Sequence, residues 1–390
     1  MDYKIIHTSD WHLGKKLFKS ERLEEQEAFL NWLHTYILAE KINLLIIAGD
    51  IYDVPSPPNS AQKMFYDFIF KLKDIKNFQS IIITGNHDSA SLFNIPKEFF
   101  AENNCHICAN LSSDLNDNEL FIETEHGTLG LKLLPYFRNF ELLKHLEQDP
   151  NEKSLESFFK KFFSTWQSTP DHKFLVSHHG FGHYNASGSE HAIHLSGVDN
   201  FPLSWVRPYF DYVALGHIHK KQELSQTPPV IYCGSPFPLR FSESNNKFMS
   251  QIKINNQALS YELIPIPITK RLIQLKCDFQ NIENDLKQVI EKNKNKPAYL
   301  EVIITTNKPL SGVADLIRER ILETNIELLS FIPKFSSTSK QTLSLDKIQN
   351  TSLEELFEDY YKTKFENATI PDELLIEFHS LLKEVRDEDS

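Results

Sequence analysis

Five short polar clusters hold the residues best suited to chemistry in this chain. They are Asp10-Trp11-His12, Gly49-Asp50-Ile51-Tyr52-Asp53, Gly85-Asn86-His87-Asp88, Ser177-His178-His179 and Gly216-His217-Ile218-His219. Carboxylate and amide oxygens mixed with imidazole nitrogens suit Mn, Fe or Zn, whereas all-oxygen sets suit Mg or Ca. Two divalent cations held by the carboxylates of Asp10 and Asp50 leave a centre of about +2, fit for a bound phosphate. Glycine before Asp50, Asn86 and His217 allows sharp turns that bring such ligands together. A lone Asp-x-His is more often a helix cap or a core histidine. Five clusters of this kind in one chain point to a metal centre.

Each cluster follows a short apolar run that reads as a strand: Lys4–His7, Leu44–Ala48, Ser80–Thr84, Phe174–Ser177 and Tyr212–Leu215. Loops at strand ends are where α/β sheets assemble sites. Further strands are expected at Gly130–Leu134 and Val230–Cys233. Leu23, Leu30, Leu33 and Ile37 form one helical stripe, and helices are expected over Ser60–Lys73, Ser89–Phe100 and Ser154–Trp166. Pro265-Ile266-Pro267 reads as a linker. Beyond it, Leu272–Leu275, Tyr299–Thr305 and Ile326–Phe331 (strands) alternate with Ile282–Lys292 and Val313–Leu322 (helices). Phe335–Ser344 is Ser/Thr-rich and expected to be flexible; Leu353–Lys364 and Glu373–Glu384 read as acidic amphipathic helices. The expected organisation is a main domain over 1–265, a small α/β unit over 266–335, and a linker with two helices over 336–390.

The 390 residues carry 41 Lys and Arg against 53 Asp and Glu, a net charge of −12. That excludes a surface attractive to nucleic acid throughout, but not a local site. Residues 266–335 are net +2 (11 basic, 9 acidic) and residues 336–390 net −7 (6 and 13). Lys15, Lys16, Lys19 and Arg22 follow the first cluster and Lys220-Lys221 the last, placed to track a polyanion. Four cysteines fit a reducing compartment better than a disulfide framework, and Cys105–Cys108 is a lone CxxC read as ordinary thiols. No apolar run is long enough to span a membrane. The opening Met1-Asp2-Tyr3-Lys4 runs directly into a strand and leaves no room for a signal peptide, so the expected location is cytoplasmic.

The five clusters resemble those of calcineurin-like metallophosphoesterases. That likeness implies an α/β fold: a two-sheet sandwich flanked by helices, with a small α/β capping domain and a C-terminal two-helix tail. His7-Thr8-Ser9-Asp10-Trp11-His12-Leu13-Gly14, Arg22-Leu23-Glu24-Glu25-Gln26 and Tyr232-Cys233-Gly234-Ser235-Pro236-Phe237-Pro238-Leu239 look more specifically like the SbcD family. Those bacterial nuclease subunits are counterparts of the archaeal and eukaryotic double-strand-break repair nucleases.

The resemblance implies one cation held by Asp10, His12, Asp50 and His219, and a second by Asp50, Asn86, His178 and His217, most simply two Mn2+. His178, directly after its strand, is preferred to His179. His87 would face the scissile phosphate as the catalytic group. Archaeal relatives carry a histidine where Asp53 stands here, so Asp53 is read as a carboxylate that orients a histidine; Asp88 would do the same or cap a helix. His183, His191 and His194 are expected on a loop surface. The implied activity is Mn-dependent DNA cleavage, exonucleolytic on duplex ends and endonucleolytic on single strands and hairpins. It would be gated by an SbcC-type ABC/SMC-like ATPase, since this chain has no GxxxxGK[ST] loop of its own. A homodimer within a heterotetramer is implied, paired through the helices near Ser60–Lys73 and Ser89–Phe100, where Met64, Phe65, Phe68 and Ile69 offer an apolar patch, with the acidic tail docking the ATPase. A small-molecule phosphodiesterase and a catalytically silent scaffold are the alternatives.

Overall fold

The computed structural model describes residues 2–138, 141–142, 154–185, 200–256, 258–294, 296–306, 310, 312–335, 352–365, 369–372 and 374–379. His191 and His194 lie outside these residues, as do most of the Ser/Thr-rich stretch and the end of the second tail helix. The chain divides into two compact units, 1–272 and 273–390.

The first unit is built on two six-stranded sheets. One has the order β12-β11-β1-β2-β3-β4, from β1 (Tyr3–Thr8), β2 (Leu44–Ala48), β3 (Gln79–Ile83), β4 (Cys105–Cys108), β11 (Lys247–Asn255) and β12 (Ala258–Ile266). The other has the order β5-β6-β7-β8-β10-β9, from β5 (Glu119–Thr124), β6 (Gly127–Leu134), β7 (His172–Ser177), β8 (Tyr212–Leu215), β9 (Gln222–Gln226) and β10 (Pro229–Tyr232). The central strands β1 to β4, and β6 to β8, pair in parallel.

Parallel strands covered on both faces read as unbroken apolar runs, with successive side chains feeding different cores. Ile5, Leu44, Ile46, Ile81 and Ile83 meet Leu131, Phe174, Val176 and Ala214 between the sheets. Ile6, Leu45, Ile47 and Ile82 face outward onto α1 (Leu23–Glu40) and α2 (Asn59–Leu72), where Leu30, Leu33 and Ile37 supply the expected stripe. Four phenylalanines of α5 (Leu155–Ser164) cover the other sheet.

Several expectations need correction. The Ser89–Phe100 helix is two short ones, α3 (Ala90–Asn94) and α4 (Lys97–Glu102), divided at Pro96, whose ring cannot continue a helix interior. Pro265-Ile266 is not a free linker: β12 pairs with β11 through Ile266 opposite Lys247. A proline is tolerated there because β12 is an edge strand. Phe65, Phe68 and Ile69 are buried in their own core and Met64 packs against it, so these side chains face their own sheet. Cys105 and Cys108 are buried free thiols in different cores on opposite faces of β4, and burial pushes each up to about 12.

In the second unit, β13 (Arg271–Asp278), β14 (Ala298–Thr306) and β15 (Ile326–Phe335) form a sheet of order β13-β14-β15. Leu286 of α6 (Ile282–Lys292) and Ile317 of α7 (Val313–Ile321) pack on Leu300, Val302 and Ile304. A capping box on Ser352 starts α8 (Leu353–Lys364). Phe357 of α8 stacks on Phe378 with centroids 4.1 Å apart, and Phe365 meets Phe335 at 4.9 Å. Among the described residues, no helix is long and apolar enough to cross a membrane.

Candidate metal centre

All the expected ligands lie just beyond the C-terminal ends of central strands. Asp10 and His12 follow β1, Asp50 follows β2 and Asn86 follows β3, while His178 follows β7 and His217 and His219 follow β8. The backbone there is unusual. Asp10 (φ 55°), His12 (φ 44°), Asp50 (φ 52°) and His217 (φ 91°) are all left-handed, at a cost of ~1–3 kcal/mol for each non-glycine residue. Hydrogen bonds hold them in place: Asp10 N donates to Gly49 O (3.0 Å), His12 N to Asp50 O (3.0 Å) and His217 N to Asp10 Oδ1 (2.9 Å).

Glycine serves this site chiefly by leaving room. A Cβ on Gly216 would lie 1.8 Å from Ala48 O, and one on Gly85 would lie 2.1 Å from Asp50 Oδ1. Gly49 combines both demands, with φ 87° and a Cβ position 2.2 Å from His178 Nδ1. The expected sharp turn therefore accounts for Gly49, whereas Gly85 and Gly216 are needed for close approach.

Two groups of donor atoms result. One ligand atom each from Asp10, His12, Asp50 and His219 lie within 4.8 Å of one another. His12 Nε2 and His219 Nε2 are 3.1 Å apart, and His12 Nε2 is 3.5 Å from Asp50 Oδ2. The second group gathers on Asn86 Oδ1, which is 3.1 Å from His178 Nε2 and 3.2 Å from His217 Nδ1. His178 Nε2 is also 3.3 Å from Asp50 Oδ2. Asp50 Oδ2 is thus shared between the groups. Buried imidazole lone pairs and carboxylates converging at these distances fit two divalent cations.

The surrounding hydrogen bonds set the tautomers. His178 Nδ1 donates to Ala48 O (2.8 Å), which turns Nε2 towards Asp50 and Asn86. Burial would lower the His178 pKa, but the Asp50 charge and hydrogen bond raise it to about 9, so a cation bound at Nε2 would displace a proton. Burial alone would raise the Asp50 carboxyl, but the His178 charge and hydrogen bond hold it well below the carboxylate range. Burial drives His219 well below its usual value, favouring the neutral ring, which has one nitrogen lone pair to offer a cation. His179 turns away: its ring lies 4.4 Å from that of Phe137 and its Nε2 is 3.1 Å from Pro135 O.

His87 lies beside the two groups. Its Nδ1 donates to Asp53 O (2.7 Å), and its backbone N donates to Asp50 Oδ1 (2.9 Å). Burial lowers its pKa, favouring the neutral ring. The Asp53 carboxylate is 3.3 Å from His12 Nδ1 and 3.0 Å from Lys15 Nζ. Asp88 neither orients a histidine nor caps α3 in these contacts. Its carboxylate accepts from Gly85 N, Ile51 N and Tyr52 N, fastening the second and third clusters together.

Arg22 departs from its expected role among the substrate-facing cations. It is 1% exposed, pairs with Glu25 through two nitrogens and donates to Pro238 O (2.6 Å). Lys19, Lys220 and His183 are exposed. Sequence reasoning missed Glu243 and Lys247, a buried pair 2.6 Å apart beneath His219. Their four-residue spacing, common on any surface helix, gave no signal.

Two back-to-back sheets with carboxylates and imidazoles at adjoining strand ends define a metallophosphoesterase. The chain belongs to the calcineurin-like phosphoesterase family, whose model matches residues 3–221, and it is a dinuclear-metal hydrolase. Residues 269–365 match a second model, the type 5 capsule protein repressor C-terminal domain. Within the family the likeness to SbcD is borne out. The chain is 27% identical over 343 residues to the SbcD subunit of nuclease SbcCD from Escherichia coli K12, covering 84% of each chain. It is 26% identical over 402 residues to that of Bacillus subtilis 168, covering 99% of this chain and 100% of the relative. The Staphylococcus epidermidis counterpart is 26% identical over 362 residues, 92% of each.

Proposed function

We propose that this chain is the Mn2+-dependent nuclease subunit of an SbcCD-type complex. It would cleave duplex DNA ends exonucleolytically, and single strands and hairpins endonucleolytically, in DNA repair, recombination and replication. The observation that carries the reading is the pair of donor groups sharing Asp50 Oδ2, 3.5 Å from His12 Nε2 and 3.3 Å from His178 Nε2. Asp10, His12, Asp50 and His219 would hold one cation, and Asp50, Asn86, His178 and His217 the other. When bound, the two cations supply positive charge against the phosphoryl oxygens and make a water molecule acidic enough to attack phosphorus. The imidazole-rich donor set favours Mn2+ over Mg2+, which prefers oxygen.

His87 is the catalytic residue in this reading. The Asp53 carbonyl keeps a proton on His87 Nδ1, so Nε2 is the atom that takes or gives a proton at the scissile phosphate. The Asp50 carboxylate, accepting from His87 N, fixes that backbone.

Residues 266–335 would cap the substrate and 336–390 would link to an SbcC-type ATPase and dock on it. The names of the relatives support that partner, with two copies of this chain in the proposed heterotetramer. The expected setting is cytoplasmic and nucleoid-associated. The test is cleavage of a hairpin duplex with Mn2+ or Mg2+, with and without the ATPase and ATP. Faster cleavage with Mn2+, stimulated by ATP in the complex, is expected. Hydrolysis of bis-p-nitrophenyl phosphate alone would assign the site to small phosphodiesters instead.

A further inference from the structure

The stretches Arg22–Gln26 and Tyr232–Leu239 are two of those that look like SbcD, yet the reaction assigns them nothing. In space they interlock. Gln26 is buried and grips the loop that leaves His12: its Oε1 accepts from Gly14 N (2.9 Å) and its Nε2 donates to Lys15 O (3.1 Å). One helical turn earlier, Arg22 donates to Pro238 O and places its guanidinium 5.3 Å from the Phe237 ring centroid. The next residue, Leu239, donates its backbone N to Glu243 Oε2 (3.2 Å). Lys247 Nζ completes the chain, donating to Glu243 Oε2 (2.6 Å), Ser235 Oγ (2.8 Å) and His219 O (3.3 Å). Glu243 Oε1 faces His219 Nδ1 at 3.9 Å.

The two ends of this network are therefore the His12 loop, which follows β1 of one sheet, and the His219 loop, which follows β8 of the other. Their Nε2 atoms approach to 3.1 Å. The two ring nitrogens are within hydrogen-bond distance of each other, and each ring is carried by a loop that this network fastens. Buried polar groups linked in series transmit position because each has lost its alternative partners in water.

We infer that Arg22, Gln26, Glu243 and Lys247 form one buried brace that positions His12 and His219 for the cation they share. These are positioning residues, and the inference rests on the ligand assignment proposed above. Removing such outer partners of metal-bound imidazoles typically weakens the metal by about 10–100-fold.

The test is Mn2+ titration of the metal-stripped full-length chain, with thermal melting in EDTA alongside. Glu243→Gln and Gln26→Met act at opposite ends of the brace, so either can report if the other does not fold. Each is expected to weaken one of two Mn2+ sites about 10–100-fold while sparing the other. The double variant should weaken it by less than the product of the single effects, because both changes break the same chain of bonds. Lower melting temperatures in EDTA with both Mn2+ constants unchanged would overturn the brace, as would fully multiplicative effects. A wild-type chain that binds no Mn2+ would instead overturn the ligand assignment itself.

Discussion

Around Asp10, His12, Asp50 and His217 the chain adopts left-handed backbone, packs carboxylates beside one another and brings strands so close that only glycine fits. The 273–390 unit does the reverse. Its core is Leu286, Leu300, Val302, Ile304, Ile317 and similar apolar side chains. Its one positive-φ residue among the described ones is Gly312, where a Cβ would meet nothing within 4 Å. One region departs from the rules that make a chain fold, and the other follows them. Departures that cost stability persist where the geometry they create is used. Four of the left-handed residues here, Asp10, His12, Asp50 and His217, are themselves candidate donors.

The largest effect expected from this contrast separates binding from chemistry within the centre itself. Asp50→Ala should lose both cations and all hydrolysis, since Asp50 Oδ2 lies in both donor groups. His87→Asn should keep two Mn2+ per chain but lower the rate by roughly 10²–10⁴-fold, as removal of a general acid or base does. Metal content by elemental analysis, beside turnover of a DNA hairpin, distinguishes them. A His87→Asn chain that has lost a cation would move His87 into a donor group.

The contrast also explains what the sequence revealed. Ile46, Ile82 and Val176 announce buried parallel strands because both faces of those strands are covered, and the polar clusters at their ends stand out against such runs. Each expected ligand follows its strand as read. The β11–β12 hairpin went unread, because Lys247–Asn255 mixes Lys247, Ser250, Gln251 and Lys253 into its apolar residues. The edge strand Ala258–Ile266 is half solvent-facing and ends in prolines that resemble a linker. The aromatic run on α2 looked like a pairing surface because a helical stripe does not say whether its own sheet or another chain covers it. Arg22 was misread for a similar reason: charge suggests solvent, and only the fold supplies Glu25 and Pro238 as partners. Long-range polar networks leave no local pattern in a sequence.

In the second unit the expected effect falls on stability alone. Leu300 is fully buried in β14, and Leu300→Ala should destabilise its unit by ~2–5 kcal/mol through lost burial and the cavity left behind. Thermal melting should report that loss while Mn2+ titration still gives two sites. A matching loss of metal affinity would erase the distinction between the two regions.

The smallest effect comes from Asp53, where the centre's geometry can be dissected atom by atom. Its backbone carbonyl holds His87 Nδ1, whereas its carboxylate lies beside His12 Nδ1 and Lys15 Nζ. Asp53→Asn leaves the carbonyl in place and removes only the charge. Burial opposes ionisation of this carboxyl, yet His12 and Lys15 hold it below the usual range, so it is charged at neutral pH and favours a proton on His12 Nδ1. That proton keeps His12 Nε2 turned to the cation as a lone pair. Without the charge, the His12 cation should bind about 10–100-fold more weakly, as expected when a partner of a ligating imidazole is lost. Turnover at saturating Mn2+ should stay near wild type, because His87 is untouched. If Asp53 instead meets the substrate phosphate, the pattern inverts. Metal affinity would then hold and saturated turnover would fall. Measuring both on one variant decides whether this carboxylate serves the metal or the substrate.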